Sequence, residues 1–279
     1  MAELPNVRLN LANTAENVVV VRAVLSGIAQ GAGIGSEDLG DIRTAVTEAC
    51  NNVVLHAYGG ERGPMDVAIE LGADSMQVAV RDRGVGIGAH AGEAGPDRGI
   101  GLHVIRTLAR RVEIDEPPGR GTRVWMDLPA RGLTPMQPRL AAGPEADLAG
   151  AGPGLEAALS VAPVTLARAV VPRLTYTLAA RAHFSTDRLA DVQMLCDALA
   201  AHAGRALCEQ RLSLGVSVRP RDLELRIAPL RSGQAHGLLD SSDLDGLGAM
   251  IERLADRHEV LAAQSHETLA VGVLDRRRS

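Results

Sequence analysis

Three polar residues at helical spacing could carry acid–base or metal chemistry. Glu48, Asn52 and His56 follow one another every four residues, so on a helix they lie along one side. The apolar residues beside them also repeat at helical spacing: Ile42, Ala45, Val46, Ala49 and Val53. Residues 41–58 are therefore predicted to form an amphipathic helix with a carboxylate and an amide along its polar edge. Taken alone, this pattern is also that of a solvated helix edge.

Three glycine-containing motifs follow this helix in the chain. They are Asp82-x-Gly84-x-Gly86, Gly99-x-Gly101-Leu102 and Gly121-Thr122. The first motif by itself is typical of a turn, and Gly-x-Gly before a helix is a modest sign of an anion site. In this order, and after the Glu48 helix, the four features together are a much stronger signal than any one of them.

Hydrophobic periodicity predicts the elements that must position these motifs. Strands are expected at residues 7–11, 65–71 and 76–82, and a hairpin at 112–115 and 122–128. Helices are expected up to about Ala32, from Ser36 or Asp38 to near Tyr58, and from about 101 to 111. The fold class that follows is α+β, a two-layer sandwich with helices on one face of a mixed, mainly antiparallel sheet.

Length, composition and charge exclude several classes of protein and partner. With 279 residues, of which 46% are hydrophobic, the chain is long enough for two domains with proper cores. Aromatic residues make up 1% and the net charge is −5, which argues against base stacking and against a nucleic-acid backbone as partner. No apolar run is long enough to span a bilayer, and no signal-peptide pattern is visible. We therefore expect a cytoplasmic protein whose three cysteines are reduced and buried.

The quoted motifs resemble those of the GHKL-type ATPases, the Bergerat nucleotide fold shared by histidine kinases, Hsp90, gyrase B and MutL. Within that superfamily the chain is most similar to the bacterial anti-sigma-factor serine kinases. Two features carry the closer match: the run Glu48-Ala-Cys-Asn-Asn52-Val-Val-Leu-His56-Ala-Tyr58 and the compact loop before Arg98-Gly-Ile-Gly-Leu102. The resemblance covers about residues 7–128 and implies ATP and Mg²⁺ as cofactors.

The resemblance also assigns roles to the polar residues. Asn52 is expected to bind Mg²⁺, since its neutral amide oxygen suits an ion that keeps several waters. Glu48, one helical turn away, would accept a proton from a seryl or threonyl hydroxyl, or would activate water and give plain ATP hydrolysis. Asp82 would accept the exocyclic amine of adenine, with Thr122 backing the same pocket.

The glycines are expected to make room for the nucleotide. Gly84 and Gly86 would let the backbone approach the base and ribose without Cβ clashes. Gly99 and Gly101, followed by Leu102, would direct free amide N–H groups at phosphate oxygens.

Three side chains have two interpretations each. Arg98 could touch the terminal phosphate or be an exposed loop arginine. Arg22 lies where these kinases place an arginine for partner contact, and it could equally be a solvated residue. His56 is expected to be a packed, hydrogen-bonded residue that closes the helix, with a functional role as the alternative.

The second half of the chain echoes the first. Residues 129–154 are rich in Pro, Gly and Ala and are predicted to link an ATP-binding domain at 1–128 to a second domain at 155–279. Helices at 164–178, 189–203 and 247–256 and strands at 211–218, 223–227 and 269–274 repeat the earlier element order. Chance α/β patterning is the alternative to a true repeat.

The second domain lacks the predicted ligands. Asp197 and Ala201 stand where a Glu-x-x-x-Asn pair should fall, and Pro229-Leu-Arg231-Ser-Gly233 replaces the Asp82 motif. If the repeat is real, this domain is a degenerate copy without a nucleotide site.

The resemblance implies a serine/threonine protein kinase that phosphorylates an anti-anti-sigma (STAS-type) protein and thereby regulates a sigma factor. A non-catalytic, nucleotide-gated binding module is the main alternative. The ATPase half of a two-component sensor kinase is a third, although no His-Glu/Asp-Arg dimerisation helix precedes the motifs. A homodimer, or a pseudo-dimer made by the two domains of one chain, is also expected from the resemblance.

Overall fold

A computed structural model describes residues 5–85, 98–116, 121–133, 155–240, 249–263 and 265–276. The chain divides into two compact units, one formed by Pro5–Met136 and the other by Gln137–Ser279 with Met1–Leu4. Most of the predicted linker, residues 134–154, lies outside the described residues. Among the described helices, none is long and apolar enough to cross a membrane.

Five strands form the sheet of the first unit. They are β1 (Val7–Ala12), β2 (Pro64–Leu71), β3 (Ser75–Asp82), β4 (Arg111–Asp115) and β5 (Arg123–Pro129). Their order is β4-β5-β3-β2-β1, and each described pair of neighbours is antiparallel. Burial alternates along the strands because successive side chains point to opposite faces of a sheet, so that Val7, Leu9 and Leu11 of β1 are 0–2% exposed.

Three helices cover the buried face of this sheet. They are α1 (Ala15–Ala32), α2 (Ser36–Asn52) and α3 (Arg98–Leu108). The inner side of α2 is fully buried, with Ile42, Ala45, Val46 and Ala49 all at 0% exposure. The predicted two-layer α+β sandwich is confirmed for this unit.

The end of α2 differs from the prediction. The α-helix stops at Asn52, and a single π-helical turn, Val53–Ala57, follows it. The Val53 N–H still has α-helical bonding, since it donates to the carbonyl of Ala49 and is shared with that of Cys50. Such π-turns often mark functional sites, and the apolar spacing of the sequence did not reveal this one.

The described strands of the second unit pair in antiparallel fashion as well. Its strands are β6 (Ala157–Val161), β7 (Leu212–Arg219), β8 (Asp222–Leu230), β9 (Arg257–Ala262) and β10 (Glu267–Leu274). Their order is β6-β7-β8-β10-β9. The helices are α4 (Ala167–Arg181), α5 (Thr186–Ala206), α6 (Gln234–Asp240) and α7 (Met250–Leu254). The short helix α6 was not predicted from the sequence, and α7 is shorter than the predicted helix at 247–256.

Buried residues have the same spacing on α5 as on α2. The buried residues of α2 include Ile42, Ala45, Val46 and Ala49, and those of α5 include Val192, Leu195, Cys196 and Leu199. Counted from Ser36 and Thr186, where the two helices begin, this spacing is the same. Counted in this way, Ala198 and His202 have the helix positions of Glu48 and Asn52, whereas the sequence pattern predicts Asp197 and Ala201 there.

The cysteines agree with the expectation in two cases of three. Cys50 and Cys196 are buried free thiols, whereas Cys208 is exposed. Burial raises the pKa of both buried thiols to about 12, so they remain neutral and pack as small apolar groups.

Candidate active site

Glu48, Asn52 and Gly101 lie together where α2 meets the start of α3. A Cβ atom built on Gly101 would lie 3.0 Å from Glu48 Oε2 and 3.7 Å from Asn52 Oδ1. The two polar side chains of α2 therefore lie next to the first turn of α3, where the absence of a side chain at Gly101 leaves room between the helices. The N-terminal turn of a helix carries free N–H groups and partial positive charge, so a carboxylate, an amide oxygen and an anion-favouring helix end share one location.

Asp82 is the second fixed point of the site. Its carboxylate is buried at 4% exposure, and Oδ1 accepts two backbone hydrogen bonds, from Gly84 N at 2.8 Å and from Thr122 N at 3.2 Å. The backbone of Asp82 also bonds to Thr122, because Asp82 N donates to Thr122 O at 3.0 Å. Among the described residues no donor reaches Oδ2, so this oxygen keeps its hydrogen-bonding capacity for a ligand. The sequence placed Thr122 on a strand beside Asp82; it lies beside Asp82 but immediately before β5.

Two glycines allow the chain to close tightly around Asp82. A Cβ atom on Gly84 would meet Ala57 O at 1.9 Å, and a Cβ atom on Gly121 would meet Asp82 Oδ1 at 2.5 Å. Gly121 also has a φ of +74°, in the left-handed region that favours glycine. Both positions require glycine because backbone passes within van der Waals contact of them.

The π-turn connects the two parts of the site. Val85 N donates to Ala57 O at 3.1 Å, so the segment after Asp82 is hydrogen-bonded to the end of the helix that carries Glu48 and Asn52. Ala57 follows Asn52 by five residues, which is roughly 7 Å along a helix axis. The structure thus places Asp82, Gly84 and Thr122 in one group, Glu48, Asn52 and Gly101 in another, and joins them through a single continuous helical segment.

Tyr58 is a site residue whose part the sequence did not reveal. Its hydroxyl donates to Pro64 O at 2.6 Å and accepts from Arg83 N at 2.8 Å. Burial raises the pKa of this phenol, which keeps it protonated and able to donate. Gly63 makes room for the ring, since a Cβ there would lie 2.1 Å from it. The hydroxyl therefore holds the backbone directly between Asp82 and Gly84.

A cleft of about 360 Å³ is lined in part by Glu48. Its lining residues come from one residue of α1 and one face of α2: Arg22, Gly40, Arg43, Thr44, Thr47 and Glu48. Arg22 is exposed on α1, in agreement with either interpretation of that residue. Asn52 and Asp82 are not part of this lining. Glu48 is thus shared between the junction with α3 and an open cleft between α1 and α2.

Several predicted residues fall partly or wholly outside the described part of the chain. Gly86 lies outside it, and for Arg98 and Gly99 only their position in the first turn of α3 is described. Leu102 is half-buried on α3, and His56 is half-buried within the π-turn. The roles of all these residues stay predictions.

Comparison with known proteins gives consistent relatives for the first unit. Residues 11–128 match the family model described as a histidine kinase-like ATPase domain. The serine-protein kinase RsbW of Halalkalibacterium halodurans is 39% identical over 117 residues, which are 37% of this chain and 72% of that protein. The protein of the same name from Bacillus mycoides is 28% identical over 127 residues, 41% of this chain and 79% of the relative. Through its first unit, the chain therefore belongs to the family of histidine kinase-like ATPases that includes the RsbW serine-protein kinases.

Proposed function

We propose that this protein is an ATP-dependent serine/threonine protein kinase that phosphorylates an anti-anti-sigma (STAS-type) protein and thereby regulates a sigma factor. The observation that carries the proposal is the position of Glu48. Its carboxylate lies against Gly101 at the start of α3, and the same side chain lines the cleft beside Arg22. A residue that orients an acceptor hydroxyl must reach both the phosphate side and the acceptor side of the reaction, and Glu48 borders both.

The residues present fit a purine nucleotide. Asp82 Oδ1 is occupied by two amide donors, so the carboxylate cannot rotate freely and Oδ2 is presented in a fixed direction. An acceptor so held suits an exocyclic amine, which is the group that distinguishes adenine from guanine at this edge of a purine. Gly101, with no side chain, leaves the first turn of α3 accessible to phosphate oxygens.

The residues also fit Mg²⁺. In the described ranges no three His, Cys, Asp or Glu side chains gather into a metal site of their own. A magnesium ion would therefore depend on Asn52 Oδ1 together with water and phosphate oxygens, which is the kind of ligand set that Mg²⁺ accepts. When bound, Mg·ATP supplies the phosphoryl group and the positive charge that neutralises its oxygens.

Glu48 is proposed to receive the proton of the acceptor hydroxyl. The carboxylate has no ion-pair partner within the described part of the chain, so no described arginine competes for its oxygens. Water could take the place of the hydroxyl in the same position, which would give ATP hydrolysis. The acceptor protein is expected to exclude that water when it is bound.

We further propose that the second unit is a copy of the first that does not bind nucleotide. Val80 pairs with Val124 in the first unit and Ile227 with Leu269 in the second, so Pro229 matches Asp82 and Glu267 matches Thr122. Pro229 has no carboxylate, and the buried Ala198 replaces Glu48. Glu267 instead accepts hydrogen bonds from Gly233 N at 2.7 Å and Ala235 N at 3.1 Å, which ties α6 over this end of the sheet.

The kinase proposal is tested by phosphate transfer from labelled ATP to a STAS-type protein. Glu48→Gln is expected to abolish transfer while the Kd for ATP stays within a few-fold of the wild type, because the amide keeps the shape of the side chain and loses only its basicity. Glu37→Gln is the matched control, since Glu37 lies on the same helix with 87% of its side chain exposed. If the wild type binds ATP and labels no serine or threonine, the nucleotide-gated binding module replaces the kinase.

Nucleotide stoichiometry in the full chain tests the assignment of the second unit. Calorimetry should give one ATP per chain for the wild type and severely weakened binding for Asp82→Asn. Two sites per chain, or full affinity in the Asp82 variant, would contradict the assignment.

A further inference from the structure

The cleft between α1 and α2 contains more unsatisfied polar groups than the proposed chemistry at Glu48 needs. Arg43 Nε and Thr47 Oγ1 are both buried and have no hydrogen-bond partner within the described residues. Neither Arg22 nor Arg43 pairs with a carboxylate there. Buried polar groups are normally hydrogen-bonded, and a buried donor or acceptor without a hydrogen bond costs free energy. Both residues line the cleft although these two atoms are closed off from solvent, so a ligand that turns the two side chains toward the cleft would supply the missing partners.

The charge of the cleft indicates what kind of ligand this is. Two guanidinium groups face one carboxylate, so the cleft carries a net positive charge in a protein whose overall charge is −5. Guanidinium groups bind carboxylates and phosphates through paired N–H donors. The Thr44 hydroxyl is already used, because it donates to Gly40 O at 2.9 Å. Arg43 Nε and Thr47 Oγ1 are therefore the donors of this lining that have no acceptor among the described residues.

The length of the cleft sets the size of the ligand. From Gly40 to Glu48 the helix advances by about 12 Å, at 1.5 Å per residue. An extended peptide advances by about 3.3 Å per residue, so three or four residues fill this length. Arg43 and Glu48 are separated by roughly 7 Å along the axis, which corresponds to about two residues of an extended chain.

We propose that this cleft binds the acceptor segment of the protein substrate and that Arg43 selects a segment with an acidic residue two to three positions from the acceptor serine or threonine. The hydroxyl lies at Glu48, Thr47 bonds to the backbone of the segment, and the acidic side chain pairs with Arg43. The inference rests on the proposed kinase function and adds a specificity-determining residue to it. Arg43 acts on binding of the acceptor and takes no part in the transfer of the phosphoryl group.

The test measures phosphorylation of the STAS-type protein that the wild-type chain labels. Arg43→Gln and Arg43→Glu are expected to raise the KM for that protein by about tenfold or more, the effect of losing one partly buried ion pair. The kcat at saturation and the Kd for ATP should stay within about twofold. Arg106→Glu makes the same charge change on the exposed surface of α3 and is the matched control.

A charge swap identifies the partner residue. Replacing the acidic residue near the acceptor hydroxyl by Lys should raise the KM with the wild-type kinase and restore it with Arg43→Glu. Unchanged KM in both Arg43 variants, with normal labelling by the wild type, would overturn this inference and leave the kinase function standing. Absence of any labelling by the wild type would overturn both. A change in the oligomeric state of Arg43→Glu, without a change in KM, would mean that the cleft is an interface between copies of the chain and would also overturn the inference.

Discussion

Removing a single hydroxyl group at Tyr58 should loosen the Asp82 segment without changing any group that would touch the nucleotide. The hydroxyl bridges Pro64 O and Arg83 N at 2.6 and 2.8 Å. A typical hydrogen bond contributes about 0.5–1.5 kcal/mol of net stability. Because water can reach Arg83 N and replace one of the two bonds, we expect Tyr58→Phe to lower the free energy of unfolding by about 1–2 kcal/mol.

The same hydrogen bonds predict how Tyr58→Phe changes the affinity for ATP. Arg83 N is the backbone donor between Asp82, whose carboxylate is proposed to read the base, and Gly84, whose N–H fixes that carboxylate. Without the tyrosine hydroxyl this turn must be ordered by the ligand. A cost of about 1 kcal/mol corresponds to a roughly fivefold rise in the Kd for ATP. The Kd for ADP should rise by the same factor, because the perturbation lies at the base and away from the terminal phosphate.

Urea unfolding followed by tryptophan fluorescence measures the first effect. Trp125 is the single tryptophan of the chain and lies on β5 of the first unit, so it reports on the unit that carries Tyr58. Tyr176→Phe is the matched control, since Tyr176 is 44% exposed on α4 of the second unit. Equal unfolding midpoints and equal ATP affinities for the wild type and both variants would refute the role assigned to the Tyr58 hydroxyl. If the free energy of unfolding depends on urea concentration with a different slope and the midpoint is unchanged, the variant has a different unfolded state.

Two further substitutions test the packing that holds the site. Gly84→Ala should lower the free energy of unfolding by about 1–3 kcal/mol, because the new methyl group meets Ala57 O at 1.9 Å and the backbone has to move. Gly35→Ala, where nothing lies within 4 Å of the new Cβ, should cost only the preference for glycine over alanine at the N-cap of α2, less than about 1 kcal/mol. Thermal unfolding of both variants measures the difference. With Asp38→Asn, the melting temperature should fall less steeply than that of the wild type as the pH is lowered. Hydrogen bonds from Arg131 lower the pKa of Asp38, so its stabilising effect is present above the pKa of an unfolded aspartate, about 4, and is lost as the pH falls below it. Melting temperatures of wild type and variant that fall in parallel between pH 5 and pH 2 would contradict this.

Much of the first unit could be predicted from its sequence because its strands have one buried face. Period-two alternation fixed β1, β2 and β3 to within one residue, since one face of each strand packs against helices. The motif residues were found for a similar reason. Positions that require glycine, such as Gly84 and Gly121, can be recognised as glycine motifs in the sequence.

The features that were missed have no local signature. The π-turn at Val53–Ala57 continues the apolar pattern of α2, so the sequence pattern does not distinguish the π-turn from the α-helix. Arg43 and Thr47 have the spacing of ordinary solvated helix residues, and only the packing of α1 beside α2 shows that they line a cleft. Asp38 and Arg131 are 93 residues apart, and a contact of that range cannot be inferred from spacing.

The position of the π-turn explains how one helix can serve both halves of the site. The last carbonyl groups of an α-helix have no partner within the helix, and here Ala57 O is bonded by Val85 N. The helix that presents Glu48 and Asn52 is thereby joined to the Asp82 segment by a bond between backbone atoms. Side-chain substitutions at Glu48 or Asn52 leave this bond in place, so their effects on chemistry can be separated from effects on the base pocket. Gly84 is the position where that separation fails, because a side chain there displaces the backbone on which both halves depend.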